Sequence, residues 1–339
     1  MKTVAAQIDA AATVAALAPA AREIEAAVQR LVAAGTAVDA IAAEVGTLNR
    51  RLFARLWSLL ASSLVVEHSA LVVMGSEGRG EQILKTDQDN GLILRDGVAM
   101  GGLDRLCSDF SSALADLGWP PCPGDIMVTN PLWRQPLSGY RASIRDWLIG
   151  GDPEGPMRLA IFCDATCVAG DAALLEDAKT FLDGLVSDND AYLARFAGAA
   201  DRFHEPHDWL HFLNWFGARR DEPALDLKKL GIFPIVHGVR ALALQARVRE
   251  LGTAGRLAAL VAHQRFDAGF AHDLVGALHR LMALRLAHQL RQRAAGEVAS
   301  NEVKPSTLAP AERESFQAAL TVVKRFRTYL RQHFRFDTI

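Results

Sequence analysis

The chain has 339 residues, half of them hydrophobic and 22% charged, a balance that suits a protein with a sizeable buried core and excludes a disordered or fibrous one. At that length two domains, or one domain with helical extensions, are expected. Charged residues interrupt every apolar stretch well short of 18 residues, which excludes a membrane-spanning helix, and Asp9 breaks any signal-like run near the start. The net charge of −2 hides an asymmetry: residues 1–222 hold 19 Lys and Arg against 30 Asp and Glu, a net −11, whereas residues 223–339 hold 18 against 9, a net +9. Such a split fits a basic surface that meets phosphate or an acidic partner, and equally fits charge complementarity between two packed domains. Cys107, Cys122, Cys163 and Cys167 form no Cys-x-x-Cys pair, so free thiols in a reducing cytoplasm are expected.

In chain order, residues 4–62 are Ala-rich and read as helices punctuated by Pro19 and Gly35. Val38, Ile41, Val45, Leu48, Leu52, Leu56 and Leu59 recur at steps of three and four, one apolar stripe along a single helix. Residues 68–186 mix short strands with helices. Strands are expected at Ala70–Met74 and Gly91–Leu94, a helix at Leu103–Leu117, and an extended segment at Ile126–Thr129. Trp119 to Gly124, with three prolines, reads as a rigid loop. Arg158 to Cys163 is a third apolar run, read as a strand ending at Asp164, and Asp171 is a natural N-cap for the helix that follows. From about residue 190 the pattern is helical. One stripe runs through Leu274, Leu278, Leu281 and Leu290, and a last helix starts near Pro310 and carries Phe316, Leu320, Val323, Phe326, Leu330 and Phe334. His204, His207 and His211 have a spacing that admits a metal site, but Pro206 interrupts the helix and the bland reading is structural.

The chemistry concentrates in Leu71 to Gln82 and Thr86 to Leu94. An apolar run ends in Gly75-Ser76, and Asp87 and Asp89 then open a second one. Side chains at i and i+2 of a strand share one face, so these carboxylates repel unless a divalent cation or a shifted pKa relieves them. Gly75 lets a phosphate approach the backbone and Ser76 adds a hydroxyl donor. A lone Gly-Ser turn or a lone Asp-x-Asp loop is commonplace. Gly-Ser-x-Gly-Arg-x-Glu followed by Asp-x-Asp at the mouth of a strand is far more specific.

That arrangement resembles the signature of the DNA polymerase β-like nucleotidyltransferases. It looks most like the nucleotidyltransferase domain of protein-PII uridylyltransferase and a second nucleotidyltransferase family whose members often carry CBS or cyclic-nucleotide-binding domains ahead of the catalytic one. The segments Gly124 to Met127, Asn130 to Arg134, Phe162 to Asp171 and Leu227 to Arg240 resemble the second family too, so the likeness spans roughly residues 40–335. It implies an α+β protein with three parts: N-terminal helices over 1–62, a nucleotidyltransferase mixed sheet with flanking helices over 63–187, and an all-helical substrate-binding domain over 188–339.

By the same resemblance, Asp87, Asp89 and Asp164 would bind Mg2+ or Mn2+, with Asp164 completing the site and a candidate base. Gly75, Ser76 and Arg79 would hold phosphates, and Lys228, Lys229 and Arg240 would contact nucleotide or substrate. Arg79 could equally pin Glu81, and Lys85 is a weaker phosphate candidate expected to face solvent. Relatives often have a basic residue where this chain has Thr166 and an acid where it has His237. No CBS or cyclic-nucleotide module precedes residue 60, so whatever regulates such relatives would be absent here or supplied by another chain. The expected partners are a nucleoside triphosphate and an acceptor, a protein side chain or a small molecule, with neither nucleic acid nor membrane. The rival readings are a non-catalytic nucleotide-sensing protein on the same fold, and a helical scaffold with an incidental motif.

Overall fold

The computed structural model describes residues 2–186, 190–199 and 223–336. The chain divides into two compact units, Met1–Ser187 and Asp188–Ile339, and it is a mixed α+β protein.

The first unit is organised around a four-stranded mixed sheet. Its strands are β1 (Ser69–Val73), β2 (Asn90–Leu94), β3 (Arg134–Pro136) and β4 (Thr166–Gly170), in the spatial order β3-β2-β1-β4. β1 is central, antiparallel to both β2 and β4, and β3 runs parallel to β2. Ser69 to Val73 are buried on both faces, as expected of a strand read as an unbroken apolar run. The register between β1 and β4 shifts between Leu71 and Val72. Leu71 faces Ala169 and Val72 faces Cys167, leaving Val168 as an extra residue in a bulge.

The striped helix exists as Val38–Leu60, and its buried face packs against β4 and the helix Leu103–Asp116. The contact is made by large rings, Trp57 edge-on to Phe110 at 5.2 Å and Phe53 edge-on to Trp119 at 5.0 Å. Rings of this size exclude water from the layer between helix and sheet, and edge-to-face pairs add to the area they bury. On another side Trp133, Tyr140, Trp147 and Phe162 cluster under the helices Leu137–Ile149 and Gly155–Cys163. The Tyr140 hydroxyl donates to the Trp133 carbonyl at 2.8 Å, which lets a phenol sit in that core.

Two expectations change here. The apolar run ending at Asp164 is the helix Gly155–Cys163 rather than a strand, and Asp164 is its C-cap. A short fully apolar run cannot be assigned to helix or strand by periodicity; here Gly155-Pro156 opens a helix and Pro156 sits in its first turn. The strand follows instead, as β4, and Asp171 caps the next helix by accepting from the Ala173 amide at 3.0 Å. Ile126–Thr129, expected to be extended, belongs to a loop of turns; the Ile126 carbonyl accepts from the Asn90 amide and the Val128 amide donates to Asn90 Oδ1, bonds to the first residue of β2 that do not extend into a ladder.

The second unit is helical, with helices Asp190–Gly198, Phe233–Gln245, Thr253–Ala262, Ala268–Ala294 and Pro310–Phe334. It also holds a small antiparallel ladder, β5 (Leu225–Asp226) with β6 (Glu302–Val303), so it is not wholly helical. The helix Phe233–Gln245 is buried along nearly its whole length. A side chain on Gly238 would sit 2.4 Å from Leu330 and 2.6 Å from Phe326, so only glycine admits the long C-terminal helix this closely. Among the described residues no helix is long and apolar enough to cross a membrane. His204, His207 and His211 lie outside the described residues.

Candidate active site

Strand β1 ends at Val73 and the chain turns at once into a one-turn helix, Gly75–Gly78. Gly75 has φ +57°, and a Cβ there would lie 2.5 Å from the Asp89 carboxylate. The turn therefore requires glycine on two counts: its left-handed backbone and the closeness of an acidic side chain. Gly78 is equally constrained, since a Cβ would meet the Asp164 carbonyl at 2.1 Å and the Val73 carbonyl at 2.9 Å. The Ser76 hydroxyl donates to Gln82 Oε1 at 3.0 Å.

Asp87 and Asp89 stand just ahead of β2 rather than within it, on an extended segment tied on both sides. The Met74 amide donates to the Asp89 carbonyl at 2.8 Å, and the Gln88 amide donates to the Pro120 carbonyl at 2.9 Å. Between the two aspartates, Gln88 turns inward. Its Nε2 donates to the carbonyls of Ser111 and Trp119, and Ser111 Oγ donates back to its Oε1, each at 2.9 Å. With Gln88 fixed in the core, the alternation of an extended chain sends Asp87 and Asp89 together to the opposite face.

The same pairing brings the Pro-rich loop alongside and delivers a residue that sequence reading passes over. Ligand atoms of Asp87, Asp89 and Cys122 all lie within 4.8 Å of one another, the one such group of His, Cys, Asp or Glu among the described residues. Cys122 is 8% exposed. Burial pushes its thiol up to about 12, against the pull of amide hydrogen bonds from Ile126 and Gly124, with the Asp89 carboxylate adding to the rise. No paired cysteine marks it in the sequence; tertiary bonds place it, from the Gln88 amide to the Pro120 carbonyl, from Gln88 Nε2 to the Trp119 carbonyl and from the Asn90 amide to the Ile126 carbonyl.

A small hollow lies beside the aspartates, lined by Phe53, Glu77, Gln82, Asp87, Asp89 and Trp119 among others, with about 10 Å³ of space, room for about one water. Three buried polar atoms on its wall have no protein partner: Glu77 Oε1, Gln82 Nε2 and Trp119 Nε1. Glu77 is 5% exposed. Burial pushes its carboxyl up to about 7, against the Asn49 hydrogen bond and the charge of Arg50, both of which lower it. Asn49, from the N-terminal helix, donates to Glu77 Oε2 at 2.9 Å.

Asp164 is not in the acidic group. It is 0% exposed, and its Oδ2 accepts from Arg79 Nη1 at 2.5 Å while Arg79 Nε donates to Glu81 at 2.6 Å. Burial opposes the guanidinium charge, but Asp164 and Glu81 outweigh it and hold its pKa above the ordinary value. Arg79 thus follows the second of its two sequence expectations, pinning Glu81 and a distant acid, with Nε and Nη1 given to these carboxylates. Lys85, expected in solvent, is buried: it donates to the Leu117 carbonyl at 2.9 Å and sits 4.6 Å over the Trp119 ring. Burial lowers its pKa to about 8, and Arg22 adds to that.

In the second unit, Lys228 and Lys229 begin a π-helical turn, Lys228–Ile232, and are exposed. Their amides donate to Asp226 Oδ1 at 2.8 and 2.9 Å, and Lys229 Nζ lies 3.6 Å from the same carboxylate. Arg240 is buried and pairs with His237 Nδ1 at 3.1 Å, while His237 Nε2 bonds the Phe196 carbonyl at 2.8 Å. His237 is stacked between Phe196 and Phe233. A histidine with both ring nitrogens bonded, in place of an acid, is therefore a core element of this unit.

The donor set of two carboxylates and a thiol, with unpartnered polar atoms on the adjoining wall, fits a divalent cation. No curated protein matches the chain closely enough to show a relative. Two family descriptions do match: "Putative nucleotidyltransferase DUF294" over residues 22–154, which contains Gly75, Asp87, Asp89 and Cys122, and "Putative nucleotidyltransferase substrate binding domain" over residues 190–334. Together they take in both units, and the chain belongs to this family of putative nucleotidyltransferases, carrying its nucleotidyltransferase domain followed by its substrate-binding domain.

Proposed function

We propose that the protein is a divalent-metal-dependent nucleotidyltransferase that moves a nucleoside monophosphate from a nucleoside triphosphate to an acceptor hydroxyl. The acceptor oxygen bonds to the α-phosphorus, the bond to pyrophosphate breaks, and the acceptor proton leaves to a carboxylate of the site. The observation that carries this reading is the meeting of the Asp87 and Asp89 carboxylates in one group beside the Gly75 turn. Asp87 and Asp89 would hold Mg2+ or Mn2+, which when bound polarises phosphate oxygens and neutralises the charge of the leaving group. Gly75 keeps the turn open to a phosphate, and Ser76 offers it a hydroxyl once released from Gln82. Arg79 braces the motif from beneath through Glu81 and Asp164. The base role expected of Asp164 would need that pair to open.

The acceptor is a protein side chain, as in PII uridylylation, or a small molecule, bound with help from the exposed Lys228 and Lys229, whereas Arg240, expected with them, is buried against His237. Four cysteines with no Cys-x-x-Cys pair are in keeping with a reducing compartment such as the cytoplasm. The test is incubation of the full chain with α-labelled ATP, UTP, CTP and GTP, Mg2+ or Mn2+, and cell extract. A labelled acceptor with pyrophosphate release is expected, and Asp89→Asn should abolish both while leaving the fold intact.

One observation favours a second reading, a nucleotide-binding regulatory protein without transfer activity: Asp164 is neutralised by Arg79 and stands outside the acidic group. Metal-dependent nucleotide binding with no pyrophosphate from any triphosphate would select it.

A further inference from the structure

We propose that Cys122 is a third ligand of the ion held by Asp87 and Asp89, and that the site is built for a divalent ion of the manganese-to-zinc series rather than for magnesium. This rests on the metal reading of the two aspartates given above. A buried thiol is an unusual neighbour for two carboxylates that repel each other, yet its Sγ and their oxygens lie within 4.8 Å of one another. The residue is held in place, since its amide donates to Met127 Sδ at 3.4 Å and its carbonyl accepts from the Asp125 amide at 2.9 Å.

The independent sign of a ligand is the adjoining wall. Glu77, Gln82 and Trp119 are each more than nine-tenths buried, each has one buried polar atom with no hydrogen-bond partner, and all three line the hollow that Asp87 and Asp89 border. Two donors and one acceptor around space for one water are what an ion-bound water needs. The carboxylate that might have completed an all-oxygen set, Asp164, is committed to Arg79.

Ligand chemistry then chooses the metal class. Magnesium takes oxygen donors in a strict octahedron and keeps its waters; a thiolate shifts preference toward manganese, cobalt and zinc in rising order. On binding, the Cys122 S–H bond breaks, a sulfur–metal bond forms, and the proton passes to solvent, with no change of oxidation state. A bound cation inverts the local charge balance, so the carboxylates that keep the free thiol protonated then share the ion with its thiolate.

The experiment is a titration of the metal-stripped, reduced full chain with Co2+. We expect a saturable near-ultraviolet thiolate-to-cobalt charge-transfer band, absent in Cys122→Ser, with Co2+ affinity falling by roughly tenfold or more, at least the cost of losing an outer-shell partner. Asp87→Asn should weaken Co2+ binding by a similar factor. Co2+ bound to the wild-type chain without the band, or a band that survives in Cys122→Ser, overturns the proposal while leaving the aspartate metal site standing. Failure of the wild-type chain to bind Co2+ at all overturns both. Should Cys122→Ser not fold, X-ray absorption of the Co2+-loaded wild-type chain decides: a cobalt–sulfur scattering path is expected, and a shell of oxygen and nitrogen alone overturns the assignment.

Discussion

Arg79 and Asp164 are 85 residues apart in sequence and form a buried ion pair at 2.5 Å. The pair ties the Gly75–Gly78 turn to the corner between the helix Gly155–Cys163 and β4. With side chains 9% and 1% exposed, removing the cation strands a carboxylate away from water. Arg79→Ala should destabilise the first unit by about 3–5 kcal/mol, measured by urea unfolding. Arg79→Lys should recover only part, because one ammonium cannot serve Glu81 and Asp164 with the same two-pronged geometry. A loss below about 1 kcal/mol, typical of a surface pair, would show that Arg79 does not brace the motif.

Glu77 predicts a pH dependence. Its ordinary value is 4.5 and burial lifts it to about 7 in the folded chain, so between those values the folded state binds a proton that the unfolded state has released. The stabilisation is fully present below pH 4.5 and is lost as pH rises through 7, a change of order 3 kcal/mol. Glu77→Gln stays neutral and still accepts from Asn49, so it should flatten this slope and be the more stable protein at pH 8. Unfolding curves at pH 5 and pH 8, with chelator present, check it; identical slopes for both proteins would refute the account.

The Gly75 turn predicts a steric effect on the acidic pair. Gly75→Val must strain a backbone at φ +57° and drive a side chain against the Asp89 carboxylate, 2.5 Å from where its Cβ would sit. Metal-dependent nucleotide binding should be lost. Ser76→Ala removes the hydroxyl that would leave Gln82 to donate to a phosphate, and the loss of that one hydrogen bond should cost about 1 kcal/mol in triphosphate affinity. Calorimetric titration separates them, and normal binding by Gly75→Val would move the phosphate site away from this turn.

Much of this site is legible in the sequence because it is local. Gly75-Ser76 ends an apolar run, Asp87 and Asp89 alternate with a Gln that the core takes up, and the pattern is dense enough to identify the family. What escapes is what the tertiary structure assembles. Cys122 joins the aspartates because Gln88 and Asn90 bond its loop at Trp119, Pro120 and Ile126, and nothing in the spacing of one cysteine announces that. Asp164 follows an apolar run whose helix and strand readings differ only in the Gly-Pro that precedes it. Lys85 reads as a surface lysine until Trp119 and the Leu117 carbonyl close over it. The stripe from Val38 to Leu59 tells that a helix packs there, but not that Asn49 on its flank reaches Glu77.

The basic half of the chain predicts two different outcomes for residues that share a motif. Arg240 is buried and bonded to His237, which also bonds the Phe196 carbonyl. Arg240→Ala should therefore remove the hydrogen bond to His237 Nδ1 in the core and destabilise the second unit by about 1–3 kcal/mol, visible as a lower melting temperature. Lys228 and Lys229 are exposed at the opening turn, so their reversal to Glu should spare stability. If they serve the substrate, the double reversal weakens acceptor or nucleotide binding, and the weakening shrinks as salt shortens the reach of exposed charge below about 8–10 Å. Binding that is unchanged at low salt would assign the +9 excess of residues 223–339 to charge balance alone, and would leave Asp226, which accepts both lysine amides, as the reason for the acid–base pairing at that turn.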